Sequence, residues 1–214
     1  MDDDSRQATK LTRRGFLTQV GVASLATTLR PLEPLRIAGA QPSERSRESF
    51  DFGWRFLKGD EKDAQLRTFN DDSWRSIDLP HDWSVEGPFD ASEKAQGSLP
   101  SGIGWYRKRF HTPNSGQDHI VSLEFDGVYE NSEVWINDHY LGKRPSGYTP
   151  FYYDLTPFLD RKGENVVAVR VDNSRQPNSR WYSGSGIYRH TWLLSTHHMH
   201  IAPWGVYVTR LNAT

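Results

Sequence analysis

The 214 residues leave room for about one globular domain once a distinct segment of forty N-terminal residues is set aside. Aromatic side chains make up 13% of the chain, which excludes a disordered polar polypeptide and is typical of β-strands. Lysine and arginine number 26 against 27 acidic residues, and the basic residues are scattered beyond the N-terminus, so the composition indicates no nucleic-acid partner.

Residues 1–40 carry the pattern of an export signal. An Arg-Arg-Gly-Phe-Leu sequence at 13–17 precedes a mildly apolar run at 20–29, and Ala-Gly-Ala follows at 38–40. This order resembles a twin-arginine signal, which implies a periplasmic or extracellular destination. An amphipathic helix with two exposed arginines is the alternative. The polar residues 41–49 predict a linker.

Beyond residue 50, short runs of aromatic and β-branched residues alternate with turn residues, and no long stretch keeps the apolar period of a helix. The pattern predicts an all-β fold of ten short strands in two packed sheets. The predicted strands cover 54–58, 76–79, 104–111, 119–125, 131–136, 140–143, 151–154, 165–171, 188–195 and 200–209. No apolar run approaches the ~20 residues needed for a membrane span.

Alternation within these strands predicts which residues are buried. Val121, Leu123 and Phe125 share one face of their strand, and Val167 shares a face with two further valines, so both sets should lie in the core. Asparagine and aspartate tolerate positive φ, so the Asn-Asp pair at 137–138 predicts a tight hairpin that brings Trp135 near Leu141.

Several short motifs resemble the sugar-binding domain of family 2 glycoside hydrolases, the family of β-galactosidases, β-mannosidases and β-glucuronidases. In chain order they are Phe52-Gly53-Trp54-Arg55-Phe56, Leu79-Pro80-His81-Asp82-Trp83, Trp105-Tyr106-Arg107-Lys108-Arg109-Phe110, Phe125-Asp126-Gly127-Val128, Val134-Trp135-Ile136-Asn137, Tyr153-Asp154-Leu155-Thr156-Pro157-Phe158, Val169-Arg170-Val171-Asp172-Asn173-Ser174 and Arg180-Trp181-Tyr182-Ser183-Gly184-Ser185-Gly186-Ile187-Tyr188-Arg189. The resemblance implies a jelly-roll, galactose-binding-like β-sandwich over residues 50–196.

In that family the sandwich precedes an immunoglobulin-like domain and a TIM barrel with two catalytic glutamates. Residues 197–214 resemble the start of the immunoglobulin-like domain, so the rest of that domain and the barrel are expected to be missing. Retaining glycosidases need two carboxylates ~5 Å apart. No such pair is assignable in this sequence, so no catalytic residue is named and the chain alone is expected to be inactive.

The resemblance implies that an acidic residue of this domain reaches the sugar pocket, and Asp172 holds the matching position. Its carboxylate would accept hydrogen bonds from sugar hydroxyls. The resemblance also implies that in some full-length enzymes this residue helps to hold a sodium ion, and no other cofactor is expected. The alternative is that Asp172 only organises the turn that follows it.

Four further residues are candidate sugar contacts. Trp181, Arg180 and Tyr182 lie in a glycine- and serine-rich loop, where an aromatic face could stack on a pyranose ring. Trp181 could instead fill a domain interface. The resemblance also implies that Asp82 lies near the pocket, whereas the neighbouring His81 is expected to be structural. In the histidine cluster at 197, 198 and 200, alternation would put His198 and His200 on one face, but no third ligand with suitable spacing accompanies them, so no metal site is predicted.

Together these features predict a non-catalytic sugar-binding domain of a β-galactosidase-like enzyme, truncated before the catalytic barrel. The expected partners are β-linked glycosides, with galactosides favoured. Two alternatives stay open. One is a free-standing exported carbohydrate-binding module, and the other is a fragment that complements a separately encoded barrel.

Overall fold

The computed structural model describes residues 45–93, 95, 97–113 and 118–209. The predicted signal at 1–40 lies outside these residues. A short 3-10 helix covers Thr156–Phe158. The ten strands are β1 (Ser46–Ser49), β2 (Trp54–Lys58), β3 (Arg75–Ile77), β4 (Gly102–His111), β5 (His119–Phe125), β6 (Ser132–Ile136), β7 (His139–Arg144), β8 (Phe151–Asp154), β9 (Glu164–Asn173) and β10 (Thr191–His197).

The strands form two antiparallel sheets, which confirms the predicted all-β sandwich. One sheet has four strands in the order β1-β10-β5-β8, and the other has six in the order β3-β2-β4-β9-β6-β7. The main core contains Val121, Leu123 and Phe125 of β5 together with Val167 of β9. The alternation in the sequence therefore identified the inward faces correctly, because each sheet buries alternate residues against the other. Within the described residues, no helix is long and apolar enough to cross a membrane.

A second, smaller core lies on the outer face of the six-stranded sheet. The connection between β2 and β3, residues 59–74, covers this face with Ala64 and Trp74, which pack against Trp105 and Ala168. The buried Arg107 fastens the connection: its Nε donates to Asp71 Oδ2 at 2.7 Å, and its Nη1 donates to Leu66 O at 3.1 Å. Both faces of the six-stranded sheet are thus covered at its centre.

Two sequence predictions differ from the structure at the ends of the sandwich. The linker predicted over 41–49 is wrong for Ser46–Ser49, which pairs along β10 as an edge strand. Its side chains are polar because an edge strand is held by backbone hydrogen bonds, so apolar alternation gave no signal. The strand predicted over 200–209 is also wrong, because these residues pair with no described strand and Val206, Tyr207 and Val208 are exposed.

The hairpin between β6 and β7 confirms the predicted turn and corrects its register. Asn137 and Asp138 have φ of 46° and 73°. Trp135 pairs with Tyr140 rather than Leu141, because a bulge follows Val134, and the two rings lie 5.4 Å apart. The buried Asn137 side chain accepts from Val166 N at 2.9 Å and donates to the Phe158 and Asn165 oxygens.

Candidate functional site

The candidate site lies at one end of the sandwich, where β4 and β6 begin and β7 and β9 end. Three connections run side by side there. Trp83 N donates to Ser185 O at 3.1 Å, Gly186 exchanges two backbone hydrogen bonds with Tyr129, and Asp172 N donates to Glu130 O at 3.0 Å. These backbone contacts hold the predicted site residues on one rim, although they are distant in sequence.

Asp172 lies at the end of β9 and is partly exposed. One carboxylate oxygen accepts from Ser174 N at 3.0 Å and from Ser174 Oγ at 2.6 Å, and the other lies 3.4 Å from Arg170 Nη1. Partial burial acts to raise the pKa of Asp172, but the hydrogen bonds from Ser174 and the charge of Arg170 outweigh it and lower the pKa below its usual value. Asp172 does organise the turn that follows it, and it remains accessible at the rim.

The surroundings of Asp172 do not by themselves fit a sodium ion. Arg170 faces one carboxylate oxygen, and a guanidinium at that distance disfavours a second cation. A cation at Asp172 would need further oxygen ligands to outweigh this repulsion.

The structure brings Asp82 and Tyr182 together. The Tyr182 hydroxyl donates to Asp82 Oδ2, and Asp82 Oδ1 accepts from the backbone N–H groups of Ser84 and Ser185, each at 2.9 Å. Burial raises the pKa of Tyr182, and the neighbouring carboxylate raises it further. Since three donors of the chain occupy it, the Asp82 carboxylate fixes the loop around Tyr182.

Sequence reasoning missed Asn173, the residue that anchors the same loop from below. Its buried side chain donates to Gly184 O at 3.0 Å and to Ser185 Oγ at 2.7 Å. Its amide oxygen accepts from Gln176 at 2.8 Å and from Asn178 at 2.7 Å. The local signal was an asparagine at the end of β9, directly after Asp172. An amide side chain has both donors and an acceptor, so it can form hydrogen bonds with two segments at once.

Trp181 and Arg180 extend outward from the anchored loop. Trp181 is 63% exposed, and its Nε1 donates to the hydroxyl of Tyr148 at 3.4 Å. Arg180 is exposed, and it makes no hydrogen bond or ion pair with the described part of the chain. Tyr148 comes from the connection between β7 and β8, and the sequence analysis did not single it out.

His81 is buried beneath the rim. Its Nδ1 lies 2.8 Å from the Tyr106 hydroxyl, and its Nε2 lies 2.7 Å from Arg75 and 3.3 Å from Glu86. Burial lowers the pKa of His81, although Glu86 acts against that shift. These contacts give His81 the structural role expected for it. Elsewhere, the described residues contain no group of three side chains suited to hold a metal ion.

This rim and the sandwich beneath it match a known family. The family model described as glycosyl hydrolases family 2, sugar binding domain, aligns with residues 53–197. The chain belongs to this family. The match spans the strands β2 to β10 and all five predicted sugar contacts, so the resemblance seen in the motifs is confirmed.

Relatives of the family 2 domain carry glycosidase names. The β-galactosidase BoGH2A of Bacteroides ovatus is 53% identical over 170 residues, which make up 78% of this chain and 20% of that protein. A β-glucuronidase of Formosa agariphila is 33% identical over 175 residues, or 74% of this chain and 18% of that protein. The chain therefore spans about a fifth of the length of these curated relatives.

Solved structures agree with this assignment. A glycosyl hydrolase family 2 member from Bacteroides cellulosilyticus matches with a TM-score of 0.73 and 41% identity, over 78% of this chain and 23% of that one. A β-glycosidase from Bacteroides vulgatus matches with a TM-score of 0.67 and 47% identity, over 71% of this chain and 20% of that one.

Proposed function

We propose that this chain is the non-catalytic sugar-binding domain of a β-galactosidase-like glycoside hydrolase and forms one wall of a pocket for β-linked glycosides, with galactosides favoured. The observation that carries the proposal is the rim itself. An exposed indole, Trp181, and a partly exposed carboxylate, Asp172, project from loops that buried hydrogen bonds hold in place. Aromatic faces and charged acceptors are the groups that bind sugar rings and hydroxyls.

The state of the rim carboxylates supports a non-catalytic role. A general acid in glycoside hydrolysis needs a raised pKa, whereas the pKa of Asp172 is lowered and Asp82 is occupied by three donors. The bond-breaking carboxylates would then belong to a catalytic barrel, reached through an immunoglobulin-like domain. A protein that joins this chain to the barrel, or a mixture of the chain with a separately encoded barrel, should hydrolyse nitrophenyl β-galactoside. The chain alone should not.

We further propose export to the periplasm or the cell exterior. The support is the twin-arginine-like sequence at 13–17 and the Ala-Gly-Ala sequence at 38–40. Replacing Arg13 and Arg14 with lysine should retain the protein in the cytoplasm of the expressing bacterium. Export that persists in this variant would contradict the proposal.

Sugar binding is tested by titrating the full chain with methyl β-galactoside while following the indole N–H resonances. We expect weak, millimolar binding that Trp181→Ala and Asp172→Asn each reduce several-fold. Tyr207→Ala is the control, because this tyrosine is 90% exposed and lies outside the rim. Since Trp181 is also exposed, its loss should change the free energy of unfolding by less than about 0.5 kcal/mol. Absence of any glycoside-dependent shift would overturn the proposal.

A further inference from the structure

Resting on that proposed function, we infer that Tyr148 is a further sugar-contact residue. With Trp181 it forms a two-ring platform, which binds a β-linked oligosaccharide of at least two units more tightly than a single sugar. The two aromatic side chains come from different connections, residues 145–150 and 174–190, and they meet at the rim.

The contact between the two rings leaves about half or more of each side chain exposed. Tyr148 is 53% exposed and Trp181 is 63% exposed, although each is large and apolar. They meet at their polar edges, where the indole N–H donates to the phenol oxygen at 3.4 Å. Because the indole N–H is paired within the chain, the surface that Trp181 offers is aromatic, as stacking on the C–H face of a pyranose requires.

The connection that carries Tyr148 is rigid for an exposed segment. The Tyr188 hydroxyl donates to Gly147 O at 2.8 Å, and the Tyr129 ring packs against Tyr148 at 5.4 Å between centroids. A methyl group at Gly147 would lie 2.0 Å from a carbon of the Tyr129 ring, so only glycine permits this close approach. An aromatic side chain fixed before binding loses little conformational entropy when a ligand arrives.

The ligand class follows from the extent of the surface. One indole face covers about one pyranose ring, so Trp181 alone suits a monosaccharide. Tyr148 adds a second aromatic ring next to the indole N–H, and we expect the next unit of a β-linked chain to contact it. An extended glycan should therefore gain contact area that a monosaccharide cannot use.

The test compares methyl β-galactoside with β-1,4-galactobiose, titrated into the full chain and followed by indole N–H resonances. We expect the disaccharide to bind about two- to tenfold more tightly, the range for one added aromatic contact. Tyr148→Ala should remove this difference. Tyr148→Phe should retain most of it, because the ring remains. Tyr207→Ala should leave both affinities unchanged. Gly147→Ala, which displaces the connection, should reduce the difference without removing the tyrosine.

The outcomes separate the platform from the proposed function. Equal affinities for the two sugars, or a difference that survives Tyr148→Ala in a folded variant, would overturn the platform and leave sugar binding in place. Failure of both sugars to bind would overturn sugar binding itself. If Tyr148→Phe lost the difference as fully as Tyr148→Ala, the hydroxyl rather than the ring face would be responsible, and the stacking argument would be wrong.

Discussion

Removing the guanidinium of Arg107 should weaken the packing of the connection at 59–74 on the outer face of the six-stranded sheet. Arg107 is fully buried, and it donates a hydrogen bond to the buried Asp71 at 2.7 Å. It also donates hydrogen bonds to the backbone carbonyl oxygens of Ala64, Leu66 and Phe69. Arg107→Met keeps the length of the side chain and leaves these acceptors without that donor. Breaking one side of a buried ion pair costs about 3–5 kcal/mol, a large share of the roughly 5–15 kcal/mol that stabilises a domain.

Arg109→Met is the matched control, because Arg109 also contacts Asp71, at 3.2 Å, but its side chain is 39% exposed. An exposed ion pair contributes about 0–1 kcal/mol. Urea unfolding followed by circular dichroism should separate the two variants by at least about 2 kcal/mol. Limited proteolysis should cut the Arg107→Met variant within 59–74. Equal stability of the two variants would refute the fastening role of Arg107.

Two further substitutions test polar groups inside the fold. Burial lowers the pKa of Lys108 from 10.5 to about 8, so the unfolded state binds more protons between these values and the wild type should gain stability as the pH rises through that range. The Lys108→Met variant should be about 1–2 kcal/mol more stable than the wild type at pH 7. Urea titrations should show that this difference in stability decreases by pH 10. A difference that does not change with pH would contradict the prediction. Asn137→Ala should cost about 2–4 kcal/mol in thermal unfolding, because it leaves Val166 N–H and Phe158 C=O without their partner. Asp138→Asn, which keeps a residue type that tolerates positive φ, should cost far less.

The strands were predictable where burial repeats along the chain. Val121, Leu123 and Phe125 alternate with more polar residues because one face of β5 meets the core, and the bounds of β5 were predicted without error. Edge strand β1 was missed because Ser46–Ser49 is held by its backbone pairing with β10 and needs no apolar side chain. The opposite error was made at residues 200–209, where a strand was predicted and the structure has none. An apolar run forms a β-strand only when a partner strand lies beside it.

The candidate site was predictable only in part, for a related reason. Asp172, Trp181 and Tyr182 belong to motifs that the family resemblance identifies. Asn173 and Tyr148 contribute through contacts with other segments, and no local pattern shows that Asn173 reaches Ser185 or that Tyr148 meets Trp181. Residues that position a loop depend on the folded chain, so they appear only when distant segments are brought together.

The hydrogen bonds at the rim divide its residues into two roles. Asp82 and Asn173 are occupied by donors and acceptors of the chain itself, and their hydrogen bonds hold the loop at 174–190 against neighbouring segments. Trp181, Arg180 and Tyr148 extend from that loop and its neighbour toward solvent. A site in which the contacting side chains are exposed while their supports are buried is organised before the ligand arrives, so little binding energy is lost to ordering. The hydrogen bonds of Asp82 with Tyr182 and with the backbone of Ser185 therefore favour a supporting role for Asp82, and its direct contact with sugar stays a prediction.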